Sequence, residues 1–128
     1  MIYDKETILK MCEKMCANTL METLQIEFID AGDDFLKAQM PVTPTVHQPM
    51  GLLHGGASVA LAESVGSAAS IFFVDHEKFE VRGIEISANH VKAKRDGMVY
   101  GTARIVNKKK SIHLWEIKIT DENDNLIS

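Results

Sequence analysis

The chain is poor in the residues that staple or punctuate a protein. Two cysteines in 128 residues cannot supply a disulfide framework, and three prolines with eight glycines exclude collagen-like or low-complexity composition. No run of about 20 apolar residues occurs, so no segment reads as a bilayer span. The start, Met1 to Glu6, has neither an apolar leader core nor a small-residue cleavage site, which predicts a soluble, cytoplasmic protein with no membrane partner. Positive charge is also scarce: 14 Lys and Arg stand against 18 Asp and Glu, a net charge of -4. That balance removes any overall attraction for nucleic acid.

What remains is an average soluble composition, 45% apolar and 25% charged, in a chain long enough for one core and too short for two. A single domain over 1–128 follows. Cys12 and Cys16 lie four apart in a helical pattern and read as core-lining thiols. No second Cys/His pair has zinc-ligand spacing, so no metal site is expected.

Ile8, Leu9, Cys12, Met15 and Cys16 recur at helical spacing after a capping Asp4, predicting a helix that fades near Asn18. Leu24 to Ile29 alternates as a strand, Gly32-Asp33-Asp34 turns, and Phe35 to Val42 returns as the second arm of a hairpin. All three prolines, at 41, 44 and 49, mark an irregular loop. Gly55 to about Val74 is a long helix with almost no charge. Beyond Asp75 to Lys78 the chain reads as extended: Phe79 to Arg95, Met98 to Val106, Ile112 to Thr120 and a short Leu126-Ile127, with a turn at Asp96-Gly97. This order predicts an α+β fold, an antiparallel sheet wrapped around the long helix.

On that helix Leu61, Val65, Ala68 and Phe72 share one face, while Gly56, Ala60, Glu63, Ser67 and Ser70 share the opposite one. Glu63 is the sharpest feature, because a carboxylate amid small residues must be paired, protonated or facing a cleft. Gln48, His54, Gly55 and Gly56 lead into the helix N-terminus, where free N–H groups can polarise a carbonyl oxygen. Gly55 and Glu63 are about 12 Å apart along the helix, too far to share one carbonyl. Two helices packed antiparallel across a two-fold axis would bring Glu63 of one subunit to Gly55 of the other, so a dimer with two shared sites is expected. Ser64 and Ser67 either back-bond to their own helix or, for Ser67, orient the carboxylate or a water. Seven of the 14 basic residues fall between Lys92 and Lys110, a solvated sheet edge or a phosphate-binding stretch. No phosphate-binding loop or dinucleotide fingerprint is present.

The stretch HQPMGLLHGGASVALAESVGS, His47 to Ser67, resembles the hotdog-fold acyl-CoA thioesterases. The nearest branch contains the phenylacetate-degradation, 4-hydroxybenzoyl-CoA and dihydroxynaphthoyl-CoA thioesterases, and the likeness continues through GIEISANHVKAKRDGMVYGTARIVNKKKSIHLWEIKITDENDNL. The resemblance implies a sheet wrapped around a central helix, dimers that pair into tetramers, and hydrolysis of an aryl- or short acyl-CoA. It implies Glu63 as nucleophile or general base, and Gly55 as the backbone donor reaching the thioester carbonyl from the neighbouring subunit. Gln48 and His54 would position the thioester and Ser67 the water or carboxylate. Asn89, His90 and Lys92 match the segment along coenzyme A, and Lys108, Lys109 and Lys110 stand where its phosphates are met. Coenzyme A would enter as part of the substrate, with no separate cofactor. Met50, Leu53 and Phe72 are candidate acyl-pocket walls. Two departures stand out: relatives carry glycine then arginine where this chain has Asn107 to Lys110, and they continue into a full last strand where this sequence stops at Ser128.

Two other readings compete. An acyl-thioester hydratase or dehydratase would pair His47 with Glu63. A non-catalytic acyl-CoA binding protein would hold the same ligand intact.

Overall fold

Residues 3–128 are described by a computed structural model; Met1 and Ile2, the first of the charged start and of the expected 1–128 domain, lie outside the described residues. Helix α1, Lys5–Cys16, begins where the Asp4 carboxylate accepts the Thr7 N–H at 2.8 Å, and it buries Ile8 and Cys12. It ends two residues before the expected Asn18, whose φ of 61° turns the chain into a single helical turn, α2, Leu20–Thr23. That turn, absent from the sequence reading, delays strand β1 to Glu27–Ala31. Burial raises the Cys12 thiol pKa to about 12, and Cys16 lies 3.9 Å from the Met21 sulfur, so both thiols line the core.

Strands β2 (Phe35–Pro41), β3 (Met98–Lys108) and β4 (His113–Thr120) complete an antiparallel sheet of order β1-β2-β3-β4. In β2 the pleat buries Leu36, Ala38 and Met40 and leaves Phe35, Lys37 and Gln39 half-exposed. Helix α3, Gly55–Ile71, packs across β2, β3 and β4. Its Leu61, Val65, Ala68 and Phe72 are buried, as the 3.6-residue pattern requires. Each large side chain there contributes about 2 kcal/mol of apolar burial. Close approach is needed at β3, where a Cβ on Gly101 would already touch Leu61 at 3.2 Å. Phe72, being wholly buried in this core, is not a pocket wall.

Residues 79–95 depart from expectation. Instead of forming a strand they join no ladder, and Ile84 and Ile86 are exposed. Alternation alone does not make a strand, since the backbone needs a partner edge, and within one protomer these residues find little of one. Val91 and Lys92 donate to the Ile127 carbonyl at 2.9 and 3.3 Å. The expected last strand is likewise reduced to a bridge between Thr120 and Leu126, with Ile127 donating to Ile119 at 2.7 Å. An open cleft therefore lies between α3, β4 and residues 81–91.

Candidate active site

The cleft has a volume of about 690 Å³, and α3 presents Glu63, Gly66, Ser67 and Ser70 to it. Glu63 is half-buried, yet among the described residues it has neither hydrogen bond nor ion pair. A carboxylate left so, in a cavity, is free to act on what enters. The two serines nearby separate cleanly. Ser64 Oγ donates to the Ala60 carbonyl at 2.6 Å, the usual mid-helix back-bond, whereas Ser67, one turn beyond Glu63, makes none and keeps its hydroxyl for the cleft.

Around the N-terminus of α3 the loop is tied down by short bonds. His54 caps the helix: its Nδ1 accepts the Gly56 N–H at 2.7 Å, which puts the imidazole proton on Nε2. The Gly55 N–H has no acceptor among the described residues, so it stands as a free donor at the positive end of the helix. Gln48 is held by the Met50 N–H on its Oε1. With Leu53, Gly55, His90 and Lys92 it lines a second cavity of about 350 Å³. His90 packs against Gly55 so closely that a Cβ there would sit 2.6 Å from its Nε2, and its Nδ1 lies 3.1 Å from the Ser128 hydroxyl. Met50 is 75% exposed at the loop tip and borders none of these cavities, so within one protomer it is not a wall.

The residues matched to coenzyme A fall into two groups. Asn89 lines the Glu63 cleft, and His90 and Lys92 lie at the Gly55 end. Lys92 shares its charge with Asp121 at 3.8 Å, a carboxylate whose pKa is lowered chiefly by the Asn125 backbone N–H. Lys108, Lys109 and Lys110 lie instead at the other end of α3, about 25 Å along its axis. There they line a cavity of about 530 Å³ with Phe73, Phe79 and His113. Lys108 Nζ lies over the Phe73 ring, 5.0 Å from its centre. One protomer thus spreads the expected site along the whole helix: Gly55, His54 and Gln48 first, Glu63 and Ser67 midway, the lysines last.

Two features escaped the sequence. A Cβ on Gly83 would overlap the Glu63 carboxylate, so the backbone of residue 83 runs against it. Ser70 is buried and bonded to Trp115 and His113 of β4. The alternation of β4, with His113, Trp115, Ile117 and Ile119 on one face, was the available signal for the second. His47, by contrast, has its Nε2 2.7 Å from the Arg95 carbonyl and does not line the Glu63 cleft. Among the described residues no three His, Cys, Asp or Glu gather as a metal site, and no helix is long and apolar enough to cross a membrane.

Residues 50–128 match the family model of the thioesterase superfamily. The chain is 41% identical over 126 residues to a 1,4-dihydroxy-2-naphthoyl-CoA hydrolase of Escherichia coli K12, covering 98% of this chain and 92% of that protein. It is 43% identical over 122 residues to the proofreading thioesterase EntH of Cronobacter turicensis, covering 95% and 88%. A mutant thioesterase from Pseudomonas aeruginosa superposes with a TM-score of 0.92 at 36% identity, over 99% of this chain and 88% of that one. A thioesterase from Haemophilus influenzae gives 0.89 at 39% identity, over 93% and 82%.

Proposed function

The chain belongs to the thioesterase superfamily, with its hotdog fold and its hydrolysis of CoA thioesters, and from that premise we propose that Glu63 carries the reaction on an aryl- or short acyl-CoA. One observation supports this reading above the rest: among the described residues the half-buried Glu63 carboxylate has no hydrogen-bond or ion-pair partner, and it faces an open cleft from a helix whose first N–H, at Gly55, is likewise unused.

A thioester needs a polarised carbonyl, an attacking oxygen and an exit for the thiolate. The Gly55 N–H and the dipole of α3 supply the first. Glu63 supplies the second in one of two ways. As nucleophile it attacks the carbonyl carbon, the C–S bond breaks with its electron pair leaving on sulfur, and water then opens the resulting anhydride. As general base it takes a proton from water, whose oxygen attacks the same carbon, and the C–S bond breaks with its electron pair leaving on sulfur to give the acid and the thiolate. Ser67, with a free hydroxyl one turn away, positions the water or the carboxylate. Gln48 and His54 position the thioester, with Leu53 beside them.

Eight residues of continuous α3 separate Gly55 from Glu63, about 12 Å, so one chain cannot place both on one carbonyl. The reading therefore includes a homodimer in which antiparallel α3 helices bring Gly55 of one subunit to Glu63 of the other, and the family resemblance adds the pairing of dimers into a tetramer. That arrangement also narrows the split among the coenzyme A residues, because the lysine end of one α3 then lies toward the Gly55 end of its partner, about 12 Å beyond it. The hydratase reading loses support from His47, whose ring is engaged at Arg95 and away from Glu63.

The test is thiol release from a panel of aryl- and alkyl-CoA esters by the wild type and Glu63→Gln. Release by the wild type that falls about 10³-fold in a folded, assembled variant supports Glu63 at the centre of the reaction. Equal release by the variant removes Glu63 from it, and binding without turnover of any ester favours the non-catalytic reading.

A further inference from the structure

The loop that carries Gln48 toward α3 is a small closed hairpin. His47 and Leu53 face each other as an antiparallel bridge, flanked by two bonds of 2.8 Å, the Gln48 N–H to the Leu52 carbonyl and the His54 N–H to the Val46 carbonyl. Its tip closes where the Gly51 N–H donates to the Gln48 carbonyl at 3.0 Å, with Gly51 at a φ of 75° that favours glycine. Both arms dock on the segment leading into β3. The Leu53 N–H donates to the Lys94 carbonyl at 2.7 Å, and His47 Nε2 lies 2.7 Å from the Arg95 carbonyl. A carbonyl oxygen only accepts, so His47 Nε2 carries a proton and donates it. The platform is itself fixed. The Gly97 carbonyl takes the Val42 N–H at 2.8 Å, and the Glu122 carboxylate holds both the Lys94 ammonium and the Met98 N–H.

The two anchors differ in kind. Leu53 holds the arm that runs on into Gly55 through its backbone, whereas the arm that bears Gln48 is held by the His47 side chain. Gln48 is set within the turn: its Oε1 accepts the Met50 N–H, which leaves the amide NH2 for the cavity it lines with Gly55, His90 and Lys92. We propose that His47 is a positioning residue of the reaction, whose bond to the Arg95 carbonyl fixes the outer arm of the hairpin and so aims the Gln48 amide at the thioester. The proposal rests on the thioesterase reading and on the role given there to Gln48. Successive residues of an extended arm turn to opposite sides, so the ring that reaches Arg95 directs Gln48 to the Gly55 cavity, which His47 itself does not line. Without that bond the arm keeps only the bonds internal to the hairpin, and the angle of Gln48 is no longer tied to the sheet.

The test uses two variants that differ in reach rather than polarity. The side-chain N–H of glutamine extends about as far as histidine Nε2, and that of asparagine is one methylene shorter. In thiol release from the CoA esters, His47→Asn is expected to lower kcat about 10- to 100-fold, the effect of moving a reacting contact by about 1 Å, with a smaller change in KM. His47→Gln recovers most of that loss. A double-mutant cycle with Gln48→Ala separates positioning from stability. Once the Gln48 amide is gone, adding His47→Asn lowers kcat by less than about twofold more. A purely structural His47 lowers kcat by the same factor in both backgrounds, and that result overturns the proposal, as does wild-type kcat in His47→Asn. Hydrogen exchange at the Gln48 and Gly51 amides reads the same anchor without turnover: it is expected to quicken in His47→Asn and to slow again in His47→Gln. Exchange that follows the anchor, with no thiol released by the wild type from any ester, sinks the thioesterase reading and leaves the anchor; thiol release by the wild type with exchange and kcat both indifferent to His47 does the reverse.

Discussion

The backbone at Gly83 runs against the Glu63 carboxylate, with no room between them for a Cβ. The obstacle to a side chain at 83 is the far end of a flexible glutamate, which swings aside at little expense to the fold. Gly83→Ala is therefore expected to leave the melting temperature near that of the wild type while lowering kcat about 10- to 100-fold, the effect of displacing a reacting group by about 1 Å. Parallel melts and steady-state kinetics check this. Full kcat in a folded Gly83→Ala would mean that the carboxylate does not work from this position.

Ser64 and Ser67 are a natural pair of controls on one helix. Ser64 spends its hydroxyl on the Ala60 carbonyl, whereas Ser67 lines the cleft without such a bond. Ser67→Ala should lower kcat about tenfold, or about 1.4 kcal/mol, through a less well placed water or carboxylate. Ser64→Ala should leave kcat unchanged and if anything favour the helix, since alanine has the higher helix propensity. Matching losses in the two variants would show that Ser67 has no special place in the reaction.

Legibility in the sequence follows how local the cause is. The face formed by Leu61, Val65, Ala68 and Phe72 could be read because one period of 3.6 meets one sheet, and Glu63 stood out against the small residues around it. The β1–β2 hairpin announced itself through Gly32-Asp33-Asp34. Residues 79–95 alternate like a strand, but pairing depends on a neighbouring edge, and that is a property of the assembled molecule. The turn at Leu20–Thr23 moved β1 by three residues because nothing in the alternating pattern marks its start. The Ser70–His113 contact joins residues 43 apart, and it exists only once the face that β4 turns toward α3 is settled.

The pKa of His113 is lowered by burial and by Lys108, so its folded value lies below the ordinary histidine value of about 6.5. Between those two values the unfolded chain binds the proton and the folded one does not. Stability from this group is thus fully present above about pH 6.5 and is lost as pH falls through the folded value. Thermal melts from pH 7.5 down to 5 should show the wild type losing more than His113→Gln, which has no proton to take up there. Identical pH dependence in the two proteins would contradict a histidine whose protonation is disfavoured by burial and by Lys108.

His54 caps α3 and, in the proposed reaction, also positions the thioester, and substitution can separate the two. Its Nδ1 caps α3 through the Gly56 N–H, which leaves the Nε2–H outside the cap. His54→Ala removes both and should lower stability by about 1 kcal/mol, the usual effect of losing a helix cap. His54→Asn restores a side-chain acceptor at the same position and should recover most of that stability. The kinetics then decide the second task. If the imidazole positions the thioester, kcat/KM stays low in both variants although only one is destabilised; if His54 is only a cap, activity returns with the melting temperature in His54→Asn. Because Gly55 is the residue between the cap and the first turn, the alanine variant should also fray the donor itself. A rise in KM confined to His54→Ala would therefore trace to the Gly55 N–H losing its fixed direction rather than to the missing ring.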